Sequence, residues 1–240
     1  MALHKDYNLM SEKYKPDFLK SLQDVRIQVE RCRHSLEDRH RAIDRYSLHA
    51  GVPIKIREVY DVSRNIYLYG WYVYRFNNVA ESQAFGALEY CLKERIGDSE
   101  IKDYIKEKKQ AYKEETGKRL NLNKGLKLYI EYCRDKKLIS NHGFSAWHDK
   151  SYTDACEKYK YKKLNEMIDN DLEEIELDYS DIQVANDTPV YDHVQHLIDT
   201  ANKVRNIYAH GTSMLHPNVL HTFEMVSEFI NQLYPSGSDG

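Results

Sequence analysis

Arg205, Asn206 and His210 are the residues of this chain whose types and spacing point most directly to chemistry. Histidine titrates nearest to neutrality, so it can take or give a proton. Arginine stays charged and offers a planar fork of donors that matches phosphate oxygens. Asn206 lies four residues before His210, on the same face one helical turn earlier, where its amide can orient the imidazole or hold a phosphate oxygen. RNA can be cut without a metal when its own 2′-hydroxyl attacks the neighbouring phosphate. That reaction needs a base for the hydroxyl proton, positive charge on the phosphate and a proton for the leaving 5′-oxygen, and an arginine and a histidine supply these.

Geometry limits how the pair can act. Val190, Val194, Leu197, Ile198, Ala201, Val204 and Tyr208 recur at intervals of three and four, which predicts one buried helix face. Gly211 follows as the residue best suited to end that helix. The motif is therefore expected in the last two turns. Arg205 and His210 are five apart, roughly 140° around an ideal helix. They converge on one phosphate only if the helix end unwinds at 209–211, or if a second copy of the chain presents a facing motif.

The run Arg205-Asn206-Ile207-Tyr208-Ala209-His210, an arginine followed by a polar residue and then a histidine at a helix end, resembles the signature of the HEPN family. That signature is Arg, four to six residues, then His. The resemblance covers about residues 65–235. It implies an all-α fold, an up-and-down helical bundle, here preceded by a long N-terminal amphipathic helix. It also implies a metal-independent endoribonuclease of toxin–antitoxin or phage-defence type that leaves a 2′,3′-cyclic phosphate, with Arg205, Asn206 and His210 catalytic. No cofactor or metal is expected. A homodimer with the motif at its groove is implied, as is a neutralising antitoxin such as a nucleotidyltransferase. Some members of the family are binding or assembly modules. The alternative is therefore a non-catalytic RNA- or protein-binding helical module in which Arg205 and His210 merely complement the negative end of a helix dipole.

Composition is compatible with both. The chain has 240 residues, 41% hydrophobic content, 30% charged residues and a net charge of −3, so nucleic acid contact must come from a local patch. Ten Gly and five Pro suit a helical protein. No apolar run reaches a membrane span and the N-terminus lacks a signal-peptide core, which predicts a cytoplasmic protein. Cys32, Cys91, Cys133 and Cys156 are scattered, as reduced thiols.

Three regions are expected: an N-terminal extension over 1–53, a helical domain over 54–235 and a flexible tail over 236–240. Residues 16–49 read as one long helix with a seam of Phe18, Leu22, Val25, Val29, Cys32, Leu36 and Ile43, broken by Arg39. That helix is either packed on its own domain or an association arm. Residues 54–70 fit strand or helix, and Arg64-Asn65-Ile66-Tyr67 repeats the tetrapeptide at 205–208 by coincidence. A helix over 71–96 carries Ala80, Ala84 and Ala87, small enough for close packing at the centre of a bundle, with Glu81 and Glu89 in solvent.

The segment 101–115 holds Lys102, Lys106, Lys109 and Lys113, the candidate RNA-binding residues, with Tyr104 and Tyr112 interleaved for base stacking. A helix over 123–137, capped by Asn123, turns Leu126, Tyr129, Ile130 and Cys133 inward. Residues 139–149 read as a loop with Phe144 and Trp147 inward, in which His142, His148 and Asp149 fall short of a zinc ligand set. His193 and His196 lack a third ligand. Residues 153–168 predict a helix, 166–181 an acidic connection, and Pro217 opens a last helix buried through Val219, Phe223, Val226, Ile230 and Leu233.

Overall fold

The computed structural model describes residues 35–122, 124–169, 174, 176–180, 182, 191–200 and 219–235. Among these the chain is all-helical: α1 (Leu36–Asp44), α2 (Ile54–Tyr69), α3 (Phe76–Ile96), α4 (Asp98–Thr116), α5 (Leu126–Asp135), a 3₁₀ turn (Asn141–Gly143), α6 (Ser145–Asp169) and α7 (Val219–Leu233), with a further helical stretch at 193–200. No described helix is long and apolar enough to cross a membrane. Two compact units divide the chain, one running to Asp98 and resuming at Lys203, the other spanning Ser99–Asn202. The tail at 236–240 and the seam residues before Ser35 lie outside the described residues.

In the first unit α2 and α3 pack most extensively, α7 lies against α3, and α1 contacts both α2 and α7. Ala80, Ala84 and Ala87 are fully buried, so α3 is the central helix that its small residues predict. Val219, Phe223, Val226, Ile230 and Leu233 are buried on α7, as their spacing requires. The Phe223 ring meets Tyr60 and Tyr67 edge-on, at centroid distances of 6.0 and 5.7 Å. Gly97 ends α3 at φ +73, a conformation that disfavours any side chain.

Three expectations need correction here. The helix expected over 16–49 is not continuous: α1 begins after Ser35, whose extended backbone and reciprocal bonds with Asp38 form a capping box, and it ends at Asp44. Arg39, read as a gap in the apolar seam, sits inside the core. Its guanidinium lies 3.7 Å from the centroid of the Tyr67 ring and donates to the Tyr67 carbonyl (2.9 and 2.7 Å) and to Asn77 Oδ1. Glu81, expected in solvent, is fully buried and accepts from Thr222 Oγ1 at 2.9 Å. Gly70 makes room for this cluster. A Cβ there would fall 2.6 Å from Arg39 Nη2 and 2.9 Å from the Tyr67 carbonyl oxygen.

The second unit is tied by aromatic side chains with polar tips. Tyr104 on α4 donates to Asp135 Oδ2 (2.6 Å), Tyr132 on α5 donates to Glu100 Oε2 (2.9 Å), and the two rings meet edge-on at 5.2 Å. Leu126, Tyr129, Ile130 and Cys133 face inward as expected, but Gly125 is the N-cap of α5 and Asn123 lies outside the described residues. The loop expected over 139–149 is shorter, because α6 already begins at Ser145. Phe144 is fully buried while Trp147 is half-buried. Cys91 and Cys133 are buried and Cys156 is half-buried, and burial pushes the Cys91 thiol up to about 12.

Candidate functional site

Arg205, Asn206 and His210 lie outside the described residues, so the elements that flank them carry the structural account. The helical stretch at 193–200 precedes the motif, with Val194 and Ile198 buried and Leu197 half-buried. The apolar face read from the sequence is thus real over these residues.

Two side chains start this stretch. Asp192 Oδ1 accepts the backbone N–H of Gln195 at 3.0 Å, the bond an N-cap makes to the third helical residue. Asn141, from the 3₁₀ turn, accepts the N–H of Val194 at 2.9 Å, satisfying a second donor that the helix cannot satisfy itself. Arg134 Nη1 reaches Gln195 Oε1, and the His193 ring lies 4.8 Å from that of Phe144. The segment leading into the motif is therefore held from α5 and from the turn before α6.

Among the described residues, the histidines of this region do not converge as ligands. His193 is buried against Phe144 and Tyr191, whereas His196 is exposed beside Tyr191. His148 Nε2 lies 2.9 Å from the His142 carbonyl oxygen, and both rings pack on Trp147. Among the described residues no group of three or more His, Cys, Asp or Glu is placed to hold a metal ion.

The four candidate lysines, Lys102, Lys106, Lys109 and Lys113, are all exposed on α4 and recur at intervals of four, three and four, so they form one stripe. The tyrosines meant to accompany them do not. Tyr104 is buried, and burial followed by its bond to Asp135 raises its hydroxyl pKa well above the usual phenol range. Tyr112 is half-buried. Lys106 pairs with Asp103 at 3.0 Å, and Lys108 is held by Asp135 (3.3 Å) and Glu131 (3.4 Å).

The second copy of the tetrapeptide is described and serves structure. Arg64 donates to Asp61 (2.8 Å), Asp44 (3.0 Å) and Ser47 Oγ (3.0 Å), while Tyr67 is buried beneath Arg39. Arg64 and Asn65 share a cleft of about 270 Å³ with His40, Asp44 and Asp61. Asp44 and Asp61 pair with the arginine there, so its charge is already met within the chain.

The sequence holds a second basic and aromatic run, on α6. Lys158-Tyr159-Lys160-Tyr161-Lys162-Lys163 carries the signal plainly, as alternating lysine and tyrosine. Compared with known proteins, the chain matches no family model, no curated protein and no solved structure.

Proposed function

We propose that this chain is a metal-independent endoribonuclease of HEPN type, toxin-like or antiviral, acting on RNA in the cytoplasm. The observation that carries the reading is the Arg205-Asn206-x-x-x-His210 spacing in an all-helical chain. The helical stretch at 193–200, with Val194 and Ile198 buried a few residues before it, adds support. In this reading Arg205 neutralises charge on the phosphate, His210 transfers the proton and Asn206 orients the imidazole. The roughly 140° between Arg205 and His210 on a regular helix is resolved by a homodimer whose two motifs share one groove. A nucleotidyltransferase-like antitoxin is the corresponding partner.

The test is cleavage of labelled RNA. Wild type is expected to leave 2′,3′-cyclic phosphate ends with or without chelator, and 2′-deoxyribose at the cleavage position blocks the cut. His210→Ala and Arg205→Ala each lower turnover by roughly 10²–10⁴-fold, with native helicity and dimerisation retained. Asn206→Ala is milder. Cleavage that persists in His210→Ala, or that chelator abolishes, overturns the mechanism. The second reading, a non-catalytic interaction module, draws on Ile54, Val62, Tyr69, Phe76 and Val79, apolar side chains that α2 and the start of α3 leave exposed.

A further inference from the structure

On α6, Lys158, Tyr161, Lys162 and Asn165 stand at i, i+3, i+4 and i+7, the spacing of a single helix face. All four are exposed, and Tyr161 is the most open large hydrophobic side chain among the described residues, at 68% of its full exposure. Tyrosine ordinarily hides its ring and wets only its hydroxyl. Lys158 and Lys162 make no hydrogen bond or ion pair with any described residue, whereas Lys163, turned to another side, is held by Glu166 at 2.7 Å. The segment 157–163 carries four lysines against one glutamate. On α4, by contrast, five lysines face six carboxylates and Tyr104 is buried.

The geometry points to this face of α6 as a contact surface for a single nucleic acid strand, with Lys158 and Lys162 on successive phosphates and a base stacked on Tyr161. That RNA is the strand rests on the function proposed above. Charge complementarity selects the partner: Lys162 acts on Glu166 only through its field, and a lysine pair not held in ion pairs releases counterions when it meets phosphates. An unpaired base offers a π-face to a ring standing in water, which paired bases in a duplex do not. Asn165 adds an amide one turn beyond Tyr161, within the same stripe.

The test uses the full chain and a fluorescent 2′-O-methyl oligouridine 12-mer, which cannot be cut by 2′-hydroxyl attack. Anisotropy is read across a salt series. Tyr161→Ala is expected to weaken binding about tenfold and Tyr161→Phe to restore it, since stacking needs the ring and not the hydroxyl. The double variant Lys158→Gln/Lys162→Gln lowers the slope of log affinity against log salt by about 1.4, two contacts at about 0.7 each. Lys160→Gln, the same charge change off the stripe, leaves that slope near wild type. Wild-type binding that none of these variants alters overturns the assignment, as does failure of wild type to bind the oligomer. If the lysine variants lose binding to phosphatidylserine vesicles or to a polyglutamate peptide while holding the oligomer, the face belongs to a membrane or a protein and the assignment is wrong. The two proposals fail separately. A wild type that binds through α6 yet cuts no RNA sinks the nuclease reading alone. A wild type that cuts RNA but binds without α6 sinks this one alone.

Discussion

The two long helices α3 and α6 put their polar residues to opposite uses. α3, at the centre of the first unit, buries Asn77 and Glu81 as well as its alanines and leucines. It is met by Arg39 from α1 and by Thr222 from α7. α6, in the second unit, leaves Lys158, Tyr161 and Lys162 in water. A buried polar group is costly unless it is hydrogen-bonded, so the α3 groups have their partners built in. A lysine beside a tyrosine on an open face has its partners in solvent or in a ligand. The difference teaches that a charged residue within a helix is a question about its neighbours, not about the helix.

The largest expected effect breaks this contrast from the buried side. Arg39→Ala removes the donors to the Tyr67 carbonyl and Asn77 Oδ1 and takes a guanidinium off the Tyr67 ring. Hydrogen bonds to charged groups contribute roughly 1.5–3 kcal/mol, and the cavity adds to the loss, so a destabilisation of about 3 kcal/mol is expected. Urea denaturation monitored by circular dichroism measures it. Lys160→Gln on α6 serves as the reference and should stay within about 0.5 kcal/mol of wild type. Equal, small shifts for both variants would show that the buried cluster does not hold the first unit together.

How much of this was legible depends on what a residue type reveals about its direction. The faces of α5 and α7 were readable because Leu126, Ile130, Val219, Phe223 and Leu233 have no stable place but the core. The burial of Arg39 and Glu81 is not legible, because a polar residue leaves the same gap in an apolar pattern whether it is solvated or paired inside. Tyrosine is ambiguous in the same way. Tyr104, interleaved with lysines as a base-stacking candidate, is buried, while Tyr161, in a run of similar composition, stands in water. For the motif, the spacing of Arg205 and His210 was legible, and so was the buried face at Val194 and Ile198. The Asn141 bond to Val194 spans 53 positions, and no local pattern announces a partner that far away.

A middle-sized effect sharpens the comparison on the side of the second unit. Asn141→Ala removes the acceptor of the Val194 N–H at the start of the 193–200 stretch, leaving Asp192 as the remaining side-chain cap. Loss of such a bond costs about 1 kcal/mol. Hydrogen exchange should show the amides of Val194 and Gln195 losing protection, with those of α3 unchanged. If α3 amides lose protection equally, the 193–200 stretch is not locally anchored. Under the proposed function, RNA turnover would fall as well, since this stretch leads into Arg205.

The smallest effect is a pH dependence that α3 should not share, centred on Asp135. Burial by itself would raise this carboxyl, but hydrogen bonds from Tyr104, Arg134 and Lys108 together hold it below the usual carboxylate range. A carboxyl whose folded pKa is depressed binds fewer protons folded than unfolded. Its contribution is therefore complete above the unfolded value of about 3.9 and is lost as pH falls through the folded value. Asp135 is a third exposed, so solvent screens the interaction and the effect is modest. Asp135→Asn keeps the shape and an acceptor for the Tyr104 hydroxyl while abolishing the titration. Thermal melts from pH 6 down to pH 2.5 should find the variant less stable than wild type at pH 6, with the gap closing below about pH 4. A gap of constant size across that range would mean that Tyr104, Lys108 and Arg134 hold α4 to α5 through shape and neutral hydrogen bonds, and that the Asp135 charge contributes nothing.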